Sequence, residues 1–208
     1  MKELYYSNTL FIPLLLIAFG VYTLKSRDQS RRIALLGNHL EKHQIEKLME
    51  SLTQGYLRAL GESDPERQAQ VWRFLATAET DLCDQFNLFS AEFDKLDAAD
   101  TCVSKLPIAI PYADKLFPNA TFDMRKALSI HALGISNAAK GEPTASQKDK
   151  AFTMSAELFL MQHTCHWFCR SKTVASVRML ARHQTPYAQL VASVSPGTRR
   201  AYTALIDA

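Results

Sequence analysis

The chain has 208 residues, of which 47% are hydrophobic and 22% are charged, and its net charge is +3. This composition is too apolar for an intrinsically disordered protein, and the charge is too small to indicate nucleic-acid binding by itself. Seven glycines and eight prolines are few for this length and favour helices over a turn-rich β architecture. We therefore predict an all-α protein.

The N-terminal segment has the features of a membrane anchor. Residues 4–24 carry no charge. This stretch of about 21 residues would cross a hydrocarbon core of roughly 30 Å as a helix. We predict a single-pass transmembrane helix over residues 1–25, followed by a helical domain over residues 26–208. A cleaved signal peptide, with Ala18 and Gly20 near the cleavage site, and a buried core helix are the alternatives.

A basic cluster follows the apolar segment and predicts its orientation. It consists of Lys25, Arg27, Arg31 and Arg32. Because positive flanking charges stay on the cytoplasmic side, we expect a cytoplasmic domain, with a periplasmic or extracytoplasmic domain as the alternative. The same four side chains are expected to lie at the membrane surface, where anionic headgroups attract them.

The next two segments predict long helices. Apolar residues recur every three or four positions over residues 26–61, which indicates a one-sided helix that could form a stalk. Gly61 ends this pattern, and Ser63 or Asp64 with Pro65 begins the next helix. That helix carries the stripe Val71, Leu75, Ala78, Leu82, Phe86, Phe89, Phe93 and Leu96. We interpret the stripe as bundle core, with a groove for a partner helix as the alternative.

A proline-rich segment interrupts the helices between residues 97 and 121. Its three prolines prevent one regular helix, yet it is rich in apolar residues: Leu106, Ile108, Ile110, Tyr112 and Phe117. It either crosses the bundle as a packed extended segment or forms a partner-binding surface. After a further helix we predict a polar linker at residues 141–150 and then more helices, which gives a bundle of about five or six with no strand.

The sequence HTCHWFC at residues 163–169 raises the question of a metal or haem site. His163, Cys165, His166 and Cys169 lie within two helical turns, and an i, i+4 pair such as Cys165 and Cys169 can hold one metal ion. Zinc would need a further ligand, for which His131, Cys83 and Cys102 are available. The spacing matches neither an established zinc pattern nor the C-x-x-C-H of haem attachment. Disulfides, or burial of these residues in the core, are the alternatives.

No common catalytic or nucleotide-binding motif is present in the sequence. We therefore predict a non-enzymatic, membrane-anchored interaction or assembly protein whose partners are a lipid bilayer and another protein. The alternative hypothesis is a membrane-bound protein that holds zinc or haem at His163, Cys165, His166 and Cys169. Nucleic acid is not expected as a partner.

Overall fold

The computed structural model describes residues 2–141 and 144–207, and side chains from residue 11 onward within those ranges. This part of the chain forms ten helices and two short strands. The helices are α1 (Lys2–Leu40), α2 (Ile45–Gly61), α3 (Pro65–Phe93), α4 (Ala98–Thr101), α5 (Ala113–Leu116), α6 (Met124–Lys140), α7 (Gln147–Cys169), α8 (Lys172–His183), α9 (Tyr187–Ser193) and α10 (Pro196–Asp207). The all-α prediction is confirmed.

Helix α7 lies at the centre of the bundle. It packs against α1, α2, α6, α8 and α9, and residues on nearly all its sides are buried, including Leu158, Leu160 and Phe168. Helix α3 packs against α2 and α6 with its apolar stripe, in which Leu82, Phe86, Phe89 and Phe93 are fully buried. Phe93 meets Phe168 edge to face, with ring centroids 5.9 Å apart. The stripe predicted as bundle core is therefore core.

The chain turns between α1 and α2, so the helix predicted over residues 26–61 is two helices. Helix α1 ends at Leu40, and α2 begins at Ile45 after a short turn. The turn allows α2 to pack against α3 and bury Ile45, Leu52 and Tyr56. Burial of these side chains outweighs the few backbone hydrogen bonds that a continuous helix would have kept.

The capping residues partly agree with the sequence prediction. Asp64, rather than Ser63, caps α3 by accepting from the backbone N–H of Glu66. Ser146 and Asp149 form a capping box at the start of α7. The predicted polar linker at residues 141–150 is therefore shorter than expected, because α7 begins at Gln147; Glu142 and Pro143 lie outside the described residues.

Two short strands, which the sequence did not predict, lie within the proline-rich segment and at its C-terminal end. Strand β1 (Cys102–Ser104) pairs antiparallel with β2 (Thr121–Asp123), and the short helix α5 and a 3-10 turn at Pro118–Ala120 lie between them. Strands of three residues are too short to show an alternating pattern in the sequence. The pairing holds the two ends of the segment together beside the bundle.

Glu157 is a buried carboxyl group where α6, α7 and α10 meet. One oxygen accepts from the backbone N–H of Ser195 at 3.0 Å, just before α10. A Cβ at Gly134 on α6 would overlap with this carboxyl group, so only glycine allows the helices to approach this closely. Burial raises the pKa of Glu157 above its ordinary value of 4.5, although hydrogen bonds from Ser195 and Thr198 oppose the shift.

The raised pKa predicts a pH dependence of stability. The folded protein binds this proton more tightly than the unfolded chain does, so the free energy of unfolding falls as pH rises from 4.5 through the raised pKa. Glu157→Gln keeps an acceptor for Ser195 and cannot ionise. We expect the variant to gain stability over the original protein at about pH 8 and not at about pH 4.

Urea unfolding of both proteins in mild detergent at the two pH values measures this difference. Glu41→Gln, at an exposed position, is the control and should leave the difference unchanged. An equal stability change for Glu157→Gln at both pH values would contradict the prediction.

Candidate interaction surfaces

The four residues of the predicted metal site do not converge on one point. They lie on the central helix α7, where each meets different neighbours. His163 is fully buried, Cys165 is buried beside Met161, and His166 lies near Arg178, Arg182 and His183. Cys169 is half-buried near Arg32 and Arg170.

The surroundings of His163 keep its imidazole neutral. Its Nε2 lies 3.0 Å from the hydroxyl of Ser176, and its ring stacks on Tyr187 with centroids 4.6 Å apart. Burial, together with the charges of His166 and Lys172, lowers the pKa of His163 to about 4. The ring is therefore part of the packed interface between α7, α8 and α9.

The thiols of this cluster are protonated at neutral pH. Burial raises the pKa of Cys165 strongly and that of Cys169 to about 11. All four cysteines, which include Cys83 and Cys102, are free thiols. Since the thiolate is the nucleophilic and metal-binding form, these surroundings oppose both roles.

No group of three or more His, Cys, Asp or Glu side chains in the described part of the chain is placed to hold a metal ion. The spacing of these residues places them along one side of a helix, but it does not indicate that neighbouring elements cover nearly all of that helix. The zinc or haem hypothesis stays a prediction.

His131, considered above as a further zinc ligand, belongs to a buried polar network between α6, α7 and α10. Its Nε2 lies 2.9 Å from the hydroxyl of Thr164, which also lies 3.1 Å from the hydroxyl of Tyr202. Thr164 donates to the carbonyl of Leu160 at 2.9 Å, so we assign the other two contacts as donations from His131 and Tyr202. Burial, with a contribution from His163, lowers the pKa of His131 to about 3.

The first half of α1 is an apolar surface that the bundle does not cover. Its large apolar side chains from residue 11 to residue 24 are all exposed: Phe11, Ile12, Leu14, Leu15, Leu16, Ile17, Phe19, Val21, Tyr22 and Leu24. They occupy every side of the helix, since six of them lie within seven consecutive residues. The first buried apolar residue of α1 is Leu36, among the side chains that the structure describes.

The predicted membrane span covers residues 4–24, but the structure describes its side chains only from residue 11 onward. No helix in the described part is both long enough and apolar enough to cross a bilayer. The transmembrane span stays a prediction.

The basic cluster after this segment has two distinct roles. Arg32 pairs with Asp28 and donates to the carbonyl of Cys102 at 2.8 Å, and it therefore fastens α1 to β1. Arg31 pairs with Asp100. Lys25 is half-buried and Arg27 is exposed. These two are the basic residues closest in sequence to the apolar segment.

The proline-rich segment is fixed to the bundle through its backbone, whereas several of its side chains are exposed. Its backbone is fixed to the bundle, because Trp167 donates to the carbonyl of Ser104 at 2.8 Å and the Thr173 hydroxyl donates to that of Pro107 at 2.7 Å. Of the five residues predicted to bind a partner, two are half-buried (Leu106 and Ile110) and three are exposed (Ile108, Tyr112 and Phe117).

The backbone of Tyr112 lies in the left-handed region, with φ 56° and ψ 31°. This conformation is uncommon for a bulky residue and stores strain. Tyr112 precedes α5, and its aromatic ring is exposed. Backbone strain of this kind clusters at functional sites, so Tyr112 stays a candidate contact residue.

An apolar groove between α2, α7 and α9 is a surface that the sequence analysis missed. It has a volume of about 480 Å³, and its wall includes the exposed side chains of Leu57, Leu60 and Phe152. Phe159 and Leu190 line its floor. Leu57 follows the buried Tyr56 in sequence and lies off the apolar stripe of α2. An apolar residue on the polar side of this helix is the sequence signal that could have revealed the groove.

No protein-family model, curated protein or solved structure matches this chain. Its function is therefore inferred from these surfaces. A self-contained bundle does not need an uncovered apolar helix, and contiguous exposed apolar surface usually marks a site of interaction with a membrane or a protein.

The buried network predicts the effect of replacing Thr164. Thr164→Val leaves the His131 and Tyr202 donors without an acceptor, so we expect it to lower the free energy of unfolding by about 2–4 kcal/mol. Thr164→Ser keeps the hydroxyl and should cost about 1 kcal/mol, for the lost methyl group. Urea unfolding measures both changes, and equal losses for the two variants would contradict the network.

Proposed function

We propose that this chain is a membrane-anchored interaction or assembly protein without enzymatic activity of its own. In this proposal the first half of α1 is inserted in a lipid bilayer, and the helical body on its cytoplasmic side binds a partner protein. The single observation that supports anchoring most strongly is the apolar stretch of α1 that is exposed on every side.

A bilayer is favoured because apolar side chains occupy the whole circumference of this helix. A helix that contacts a partner on one side needs one apolar stripe, whereas a helix that is apolar all round needs an apolar medium. Removing ten large apolar side chains from water is worth on the order of 10–20 kcal/mol, even when their partial coverage within the helix is taken into account. Few interactions on the surface of a protein of this size could compensate for leaving these side chains exposed to water.

Because α1 is one continuous helix, it can connect the proposed anchor to the helical body. The helix runs from Lys2 to Leu40 without a break, although Pro13 lies within it. Its second half is fixed to the bundle by the buried Leu36 and by Gln29, which accepts from Arg170 at 2.7 Å. An inserted first half would therefore hold the body at the membrane with one rigid element.

The groove between α2, α7 and α9 supports the interaction part of the proposal. Its apolar wall is bordered by hydroxyl and amide side chains such as Thr53, Gln54 and Gln189. This chemistry fits the apolar face of an amphipathic helix whose polar edges meet the rim. The occupant that we propose is therefore an amphipathic helix of a partner protein.

Charge within the apolar segment should release the protein from the membrane. Leu16→Arg combined with Ile17→Arg should cost about 5–7 kcal/mol of insertion free energy, because a central arginine costs about 2.5–3.5 kcal/mol. We expect the original protein to remain with membranes after alkaline carbonate extraction and the double variant to be released.

The matched control combines Leu88→Arg with Leu133→Arg, which places the same charges on exposed apolar positions of the body. This control should remain with the membranes. An original protein that is extracted as readily as the double variant, or a control that is released equally, would contradict anchoring through α1.

The groove has its own test in two phenylalanines of matched exposure. Phe152 in the groove is 63% exposed, and Phe74 on α3, away from the groove, is 65% exposed. In affinity purification from solubilised membranes, a stoichiometric partner should be lost with Phe152→Glu and kept with Phe74→Glu. A chain that purifies alone, or a partner that both variants retain, would contradict the proposed groove interaction.

A further inference from the structure

We propose that the exposed tip of the proline-rich segment is a second membrane contact that rests on the headgroup layer of the bilayer. This tip comprises Ile108, Tyr112, Leu116 and Phe117, all exposed. The inference rests on the proposed anchoring through α1 and adds a lipid-binding surface on the body itself.

The segment lies beside the part of α1 that directly follows the apolar stretch. The segment and α1 line two clefts together, and the earliest residue of α1 in either cleft is Asp28. Asp28 lies about 6 Å along the helix axis from Leu24, the last residue of the apolar stretch. Since the headgroup region is about 5–8 Å thick on each side, this part of the body would meet it if the apolar stretch lies in the hydrocarbon core.

The surface charge of this region also supports the membrane contact. Two ion pairs, Arg31 with Asp100 and Arg32 with Asp28, neutralise the acidic side chains Asp28 and Asp100 in this region. Among the described residues that line the two clefts, Lys115 and Arg170 then remain against Asp114. Lys25 and Arg27 add positive charge within one turn of α1 before Asp28. A basic surface next to an inserted helix attracts anionic lipid headgroups.

The exposed side chains of the tip also support the membrane contact. Tyrosine is enriched at the headgroup layer because its ring has an apolar body and a polar tip, and basic residues extend from there to phosphate groups. Tyr112 provides such a ring in a strained backbone, and the ammonium group of Lys115 lies 5.5 Å from the centre of that ring. Ile108, Leu116 and Phe117 supply the apolar part of a surface that could enter the upper acyl region.

The packing below the tip makes this surface rigid enough to dock. Pro107 accepts two hydrogen bonds from Thr173 at the start of α8, and Lys105 donates its backbone N–H to Ala120 at 2.8 Å. The tip therefore needs little further ordering when it binds, which lowers the entropic cost of contact.

Three exposed phenylalanines allow a direct test in the full chain. Phe19 lies in the apolar stretch, Phe117 in the tip and Phe152 in the groove, with 63%, 46% and 63% exposure. Each is replaced in turn by photoreactive benzoylphenylalanine, and the chain is reconstituted into vesicles of phosphatidylcholine with about one third phosphatidylserine. After irradiation, lipid adducts are quantified by mass spectrometry.

We expect lipid adducts at positions 19 and 117 and a background level at position 152. Adducts at position 19 without adducts at position 117 would overturn the docking surface and leave the anchor intact. Background levels at position 19 would overturn the anchor and, with it, this inference. Crosslinks from position 117 to a second copy of the chain, or equal lipid adducts at positions 117 and 152, would also overturn it.

A charge variant tests the electrostatic part with the same readout. Lys115→Gln should reduce the lipid adducts at position 117 in the anionic vesicles about fivefold, as expected for the loss of one charge near the surface. Lys148→Gln, at an exposed position beside the groove, is the control and should leave them unchanged. Adducts at position 117 that do not respond to Lys115→Gln would overturn the proposed role of the basic surplus.

Discussion

The architecture depends on one constraint, which is that helix α7 must be removed from water on almost all its sides. Leu158, Leu160, Phe168 and their neighbours point in different directions around this helix, and all of them are buried. A helix of this kind is stable only when other elements surround it. Helices α1, α2, α6, α8 and α9 provide that cover, α3 packs in turn against α2 and α6, and α10 packs against α6.

The same constraint explains the concentration of histidine and cysteine in α7. Cys165 serves as a small apolar side chain, and the His163 ring stacks on Tyr187 with its Nε2 within hydrogen-bond distance of Ser176. Thr164, between them in the sequence, connects α6 and α10 through His131 and Tyr202. These polar groups pair with one another inside the protein, where each such pair favours one arrangement of the helices over its alternatives.

Helix α1 also has a stretch that is apolar on all sides, but the bundle leaves this stretch exposed. Its second half is covered by the bundle, whereas its first half is apolar on all sides and uncovered by the described residues. An apolar helix needs either protein or lipid around it, and the described part of the body does not cover this one. In our proposal, the first half of α1 and the tip of the proline-rich segment form one membrane-contacting surface at the end of the bundle.

The sequence by itself determined the helical class, the apolar stripe of α3 and the approximate start of that helix, because these depend on short-range periodicity and local hydrogen bonds. The structure decided that Asp64, rather than Ser63, is the cap. The sequence also revealed the apolar N-terminal stretch and the unusual apolar content of the proline-rich segment. It could not reveal the turn after Leu40, the two three-residue strands or the groove around Phe152, since these depend on contacts between residues distant in the chain. The tertiary structure alone decided that His163, Cys165, His166 and Cys169 face separate neighbours, because the spacing of residues on one helix does not determine which elements cover each of its sides.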